Sequence, residues 1–207
     1  MTTNGLLDGV REYYTRRLAE HGPCPRGVDW NGAESQEVRF RQLLRLIDGH
    51  PDRVLGDYGC GYGGLLGFAR AAGFAGAYRG YDIAPAMIAS ASDRHGADPR
   101  ARFAADEGVL AGCDAVVASG VFNVKLSAPA AEWEGYVLRT LDRLADLGPH
   151  GFAFNALTAY SDPDRMRPDL YYPDPCRLFD HCKRRYSRHV ALLHDYGLYE
   201  FTILVRR

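Results

Sequence analysis

The sequence lacks most features that assign a class at sight. No apolar run approaches the roughly 20 residues that span a bilayer. The amino-terminal Met1-Thr2-Thr3-Asn4-Gly5 has none of the basic-then-apolar layout of a secretory signal. Both absences predict a cytoplasmic chain. Five cysteines (Cys24, Cys60, Cys113, Cys176, Cys182) are an odd number with no CxxC pair, which argues against a disulfide framework or a zinc site and for reduced thiols. Lysine is nearly missing, with Lys125 and Lys183 alone among arginines, and 25 basic residues against 26 acidic ones leave a formal net charge of −1. That balance gives no global pull toward nucleic acid or an anionic membrane. The one dense basic cluster, Lys183-Arg184-Arg185 with Arg188, has Asp174 and Asp180 nearby and reads as a solvated helix face.

What is present is a chain of 207 residues, enough for one domain with a proper core. Leu6, Leu7, Val10, Tyr14 and Leu18 recur at helical spacing, and Phe40, Leu43, Leu44 and Ile47 share one face of a second helix. The proline- and glycine-rich stretch from His21 to Gly27 separates the two. From Arg53 the texture alternates. Strands are predicted at Val54–Asp57, Ala77–Tyr81, Ala101–Ala104, Asp114–Ala118 and Gly151–Asn155, with helices between them. Such alternation predicts βαβ units and a doubly wound, mostly parallel sheet. After a proline- and aspartate-rich stretch (residues 161–175) come a polar helix, His189–Leu193, a turn at Asp195-Tyr196-Gly197 and Leu198–Val205. These predict a C-terminal antiparallel hairpin, giving an α/β fold with seven strands.

The most informative segment is Asp57-Tyr58-Gly59-Cys60-Gly61-Tyr62-Gly63-Gly64, between a predicted strand and a predicted helix. Glycines there let the backbone turn tightly and let a ligand lie against it. Gly59, Gly61 and Gly64 also satisfy the dinucleotide pattern GxGxxG. Asp57, two residues before the first glycine, argues for a cationic amino-acid ligand instead, because pyrophosphate sites work through backbone N–H groups and a positive helix end. The chain also has no Tyr-xxx-Lys pair for dehydrogenase chemistry.

On these residues the chain resembles the class I S-adenosylmethionine (SAM)-dependent methyltransferases, over roughly residues 50–207. The family's acidic-x-G-x-G-x-G loop is matched by Asp57, Gly59, Gly61 and Gly63, with Cys60 inside it. The resemblance implies a ribose-binding acid at Asp82, purine contacts at Ile83 and Met87 or Leu110, and an adenine-binding acid at Asp106 or Glu107. It also puts Ser119 and Gly120 beside the reactive methyl. A carboxylate accepts only, and a vicinal diol offers two donors, so Asp82 suits the ribose. Residues 1–50 are expected to form a helical lid over the SAM-binding domain of residues 51–207, with Arg39 pairing with the methionine carboxylate and Trp30 near the sulfonium.

Neither the Asn-Pro-Pro-Tyr signature of nucleic-acid base methylation nor the acidic ligand set of metal-dependent O-methyltransferases is present. The expected activity is therefore direct in-line methyl transfer to a small polar metabolite, at oxygen, without a metal. A methyltransferase acting on RNA or protein and a non-catalytic SAM-binding protein stay open. Tyr13, Tyr14, Asn155, Tyr160, Tyr171, Tyr172, His181 and His189 are candidates for lining the acceptor pocket, and no general base is singled out.

Overall fold

From residue 55 onward short apolar strands alternate with helices, and the computed structural model, which describes residues 3–207, pairs them into one sheet. Met1 and Thr2, part of the segment read above for a leader, lie outside the described residues. Strands β1 (Leu55–Tyr58), β2 (Tyr78–Tyr81), β3 (Ala101–Ala104), β4 (Ala115–Ala118) and β5 (Gly151–Leu157) run parallel. Strand β7 (Glu200–Arg206) lies antiparallel between β5 and β6 (His189–Leu193), so the order is β3-β2-β1-β4-β5-β7-β6. The chain winds outward from β1 to β3, then restarts at β4 on the other side of β1. A crevice opens at the carboxyl ends of strands where the order reverses, and ligands of such sheets bind there.

Helices α1 (Thr3–His21) and α2 (Ala33–Leu44) precede the sheet, and α3 (Gly64–Ala71), α4 (Pro85–His95), α5 (Ala130–Leu147) and α6 (Pro175–Arg185) are threaded between strands. Local chemistry sets several boundaries. Pro85 and Pro175 occupy first turns, where a missing N–H does no harm. The Asp174 carboxylate caps α6 by accepting from the Cys176 N–H at 2.8 Å.

Two cores sandwich the sheet. On one face α5 brings Trp133, Val137, Leu141 and Leu144 onto Val116, Phe152, Phe154, Phe201 and Ile203. On the other, Phe40 and Leu43 of α2 and Leu65 and Leu66 of α3 cover Leu55, Tyr78, Val117 and Leu204. Strand side chains alternate faces, so Asp57 points to the same side as Leu55, into the rim of the second core. The C-terminal hairpin forms, but its link is looser than the tight glycine turn expected. Residues 194–199 make a loop, and β7 starts at Glu200 instead of Leu198. The register begins there because the Glu200 side chain is buried and hydrogen-bonded, which fixes that residue in the sheet.

Trp133 is fully buried, sits 4.8 Å from the Tyr136 ring and donates its indole N–H to the Phe122 carbonyl at 2.8 Å. Trp133→Ala is expected to lower unfolding free energy by about 3–5 kcal/mol, the range for truncating a large aromatic. Urea denaturation should show this as a lower midpoint at unchanged slope. A loss below about 1 kcal/mol would mean that α5 is not packed as described.

Candidate active site

The glycine segment turns back on itself at the end of β1, and the adjacent strand holds it there. The N–H groups of Gly59 and Cys60 both donate to the Tyr81 carbonyl, at 2.7 and 2.9 Å. Gly61 N–H donates to one Asp82 oxygen and Ala84 N–H to the other, each at 2.9 Å. Asp82 thus bridges the loop to the start of α4. Gly59 has φ 80°, and a Cβ there would lie 2.3 Å from Val121 Cγ1, so the turn needs glycine on two counts.

Beside this loop lies a partly open cavity at the carboxyl ends of β1, β2 and β4. Its floor is Asp57, Tyr58, Gly59, Cys60, Gly61, Tyr62 and Gly64. Tyr81, Asp82, Ile83 and Met87 form one wall, and Ser119, Gly120, Val121 and Tyr136 another. Leu7, Val10 and Tyr14 of α1, then Val28, Trp30, Gln36 and Phe40, cover it.

The electrostatics of this space are unusual for an apolar cavity. Asp57 is 2% exposed; Tyr78 donates its hydroxyl to Oδ2, while Oδ1 is buried without a partner. Burial pushes its pKa up to about 7, against the opposing effect of the Tyr78 bond. Asp82 is pushed up to about 6 by burial, with its two backbone donors resisting. The Ser119 hydroxyl oxygen, also in the wall, is buried and unpartnered. These orphaned atoms suit a ligand that brings its own donors, an ammonium above all.

Of the residues singled out from sequence, Trp30, Asp57, Gly59, Cys60, Gly61, Asp82, Ile83, Met87, Ser119 and Gly120 come together around the cavity. Arg39 does not join them. Its guanidinium is held by Glu200 through two bonds of 2.7 Å, so the place expected for a ligand carboxylate is taken by a protein one. Trp30 lines the cavity, but the cation against its ring is Arg39, 4.0 Å from the centroid. Gly63 is outside the lining and occupies the N-cap position just before α3, with His95 against it. Asp106 and Glu107 are outside too. Asp106 caps a short 3-10 turn by accepting from Gly108 N–H at 2.8 Å, and Glu107 pairs with Arg143 at 2.6 Å.

The acceptor candidates scatter. Tyr14 lines the cavity, whereas Tyr13 donates to Asp29 at 2.7 Å. Asn155 sits beneath Gly120, accepting its N–H at 2.8 Å. Tyr160 is 67% exposed, Tyr171 packs against the first core, and the Tyr172 hydroxyl accepts from Arg167 N–H. His181 meets Tyr186, and His189 opens β6 at the far edge of the sheet, opposite Arg206. Arg184 pairs with Asp180 and Arg185 with Asp142, as a solvated face would have it. Reading by sequence missed Tyr58, Tyr81 and Tyr136. The first two adjoin the strand-end acids, a signal that was available; Tyr136 follows the helical period of a core residue.

No family model matches the chain. Over 164 residues, 79% of this chain and 99% of the relative, it is 49% identical to a Mycobacterium tuberculosis (strain ATCC 25618 / H37Rv) protein named "Putative methyltransferase Rv1506c". Its fold matches magnesium protoporphyrin IX methyltransferase (ChlM) from Synechocystis PCC 6803, solved with bound S-adenosylhomocysteine (SAH). The TM-score is 0.65 at 16% identity, covering 96% of this chain and 98% of that one. Human N-acetylserotonin methyltransferase, solved with SAM, gives 0.58 at 14% identity, over 100% of this chain and 68% of that one. The chain belongs to the methyltransferase family of that relative, and its fold is that of methyltransferases solved with SAM or SAH.

Asp57 makes stability depend on pH. Its pKa is 3.8 when unperturbed and about 7 in the fold, so its contribution is full below about pH 4 and is lost as pH rises through 7. Thermal melts of the unliganded protein should therefore show wild type losing stability relative to Asp57→Asn between pH 4 and 7.5. Parallel curves for the two would mean that Asp57 is ionised throughout.

Proposed function

We propose that the cavity at the ends of β1 and β4 holds SAM and that the enzyme methylates a small polar metabolite at oxygen. The observation that carries the cofactor's placement is that Asp57, a residue of the cavity lining, keeps its Oδ1 buried and unpartnered. A carboxylate oxygen left without a donor costs free energy that an α-ammonium would recover. Asp82 keeps unused lone pairs beyond its two backbone bonds, and these would accept the ribose hydroxyls. Ile83 and the rings of Tyr58, Tyr81 and Tyr136 would flank the purine. With Arg39 bound to Glu200, the methionine carboxylate falls to Gln36, whose Oε1 accepts from the Tyr62 hydroxyl at 2.8 Å and whose NH₂ can donate.

When bound, SAM supplies an electrophilic methyl on a cationic sulfur. The chain's part is to orient and to exclude water. Residues 1–50 serve as the lid, with Trp30 and α1 over the cavity, and alignment of this kind is worth up to ~7–11 kcal/mol. A hydroxyl acceptor would need a base, whereas a carboxylate would need none. A small acceptor is favoured over RNA or protein because the cavity is roofed by α1 and Trp30 and the arginines at 184 and 185 are already paired.

Titration calorimetry tests both halves. SAM should bind several-fold more tightly at pH 7 than at pH 6, releasing a proton as Asp57 ionises, and Asp82→Ala should weaken binding tenfold or more. Binding indifferent to pH and to Asp82→Ala would contradict the placement. Incubation with labelled SAM should then methylate members of a panel of small hydroxy and carboxy compounds. Label entering RNA or protein instead would overturn the acceptor class.

A further inference from the structure

We infer that Glu200, which does not itself line the cavity, is a positioning residue that locks the cover of the cavity onto the end of β4. The inference rests on the placement of SAM proposed above. Glu200 is the first residue of β7 and is 1% exposed. Its carboxylate is shared: Oε1 accepts from Arg39 Nη2 at 2.7 Å, and Oε2 accepts both Arg39 Nε and Asn155 Nδ2, each at 2.7 Å. Both partners lead back to one point. Asn155 accepts the Gly120 N–H at 2.8 Å, which fixes the turn after β4. Arg39 lies 4.0 Å from the centroid of Trp30, and the Trp30 ring edge rests on Gly120 so closely that a Cβ there would sit 2.5 Å from Cζ2. Glu200, Arg39, Trp30, Gly120 and Asn155 therefore form a closed ring of contacts.

A buried ion pair is weak evidence for stability, since apolar residues of the same volume often serve as well. What a two-bond guanidinium–carboxylate fork does supply is direction, fixing the plane on which Trp30 lies. Gly120 and Trp30 are the members of the ring that touch the cavity, whereas Asp57 and Asp82, which also line the cavity, do not belong to the ring. Loosening Glu200 should consequently disturb the methyl end of the ligand and leave the ammonium and ribose ends in place.

The test compares SAM with SAH, which differ by the methyl and its charge. Calorimetric affinities for both, with urea unfolding as the control for folding, would be measured on wild type, Glu200→Gln and the apolar double variant Arg39→Met with Glu200→Leu. The double variant keeps the question answerable if a lone Arg39 prevents folding. The expected result is SAH affinity within about threefold of wild type and a SAM-to-SAH affinity ratio at least fivefold lower. An unchanged ratio in a folded variant, or equal loss of both ligands, would overturn the role. Wild type failing to bind SAH would overturn the cofactor placement first, and this role with it.

Discussion

A carboxylate buried with one oxygen unsatisfied is costly, and Asp57 is such a group. Much of the surrounding structure follows from keeping it there. The period of β1 turns it toward the second core, the reversal of strand order opens space above it, and Tyr78 satisfies its other oxygen. Burial leaves it ready to be charged by a cationic ligand near neutral pH. The same loop that starts at Asp57 is stapled by Tyr81 and Asp82, so the two acids of the cavity are held relative to each other by backbone hydrogen bonds.

The remaining constraint is closure. Among the described residues, the chain before residue 50 contributes no strand, yet α1 and α2 provide much of the cavity's roof. Asp29, at φ 63°, accepts from the Tyr13 hydroxyl and pairs with Arg17 at 3.1 Å, which ties the segment after α1 back to that helix. Further along, α2 is tied to the sheet by Arg39. Polar contacts thus set the position of a roof whose inner surface is largely apolar, a combination suited to excluding water.

Most strands and helices were legible because periodicity and glycine or proline punctuation are local. Asp57 and Asp82 were legible for a related reason: an acid at a strand end beside glycines has a restricted range of uses. Arg39 was not, because its partner Glu200 is 161 residues away and nothing local announces the pairing. Asp106 and Glu107 lie where the resemblance puts an adenine-binding acid, but a neighbouring N–H and Arg143 engage them. His189 lies away from the cavity because it opens the edge strand β6, beyond β5 and β7, a placement that no local pattern announces.

The most direct test of the central claim is a crystal structure of the protein with SAH. The account predicts the ligand's ammonium within hydrogen-bonding distance of Asp57 Oδ1, its ribose hydroxyls on Asp82 and its sulfur facing Gly120 beneath Trp30. Density for SAH elsewhere, or in this cavity with Asp57 Oδ1 still unpartnered, would contradict it.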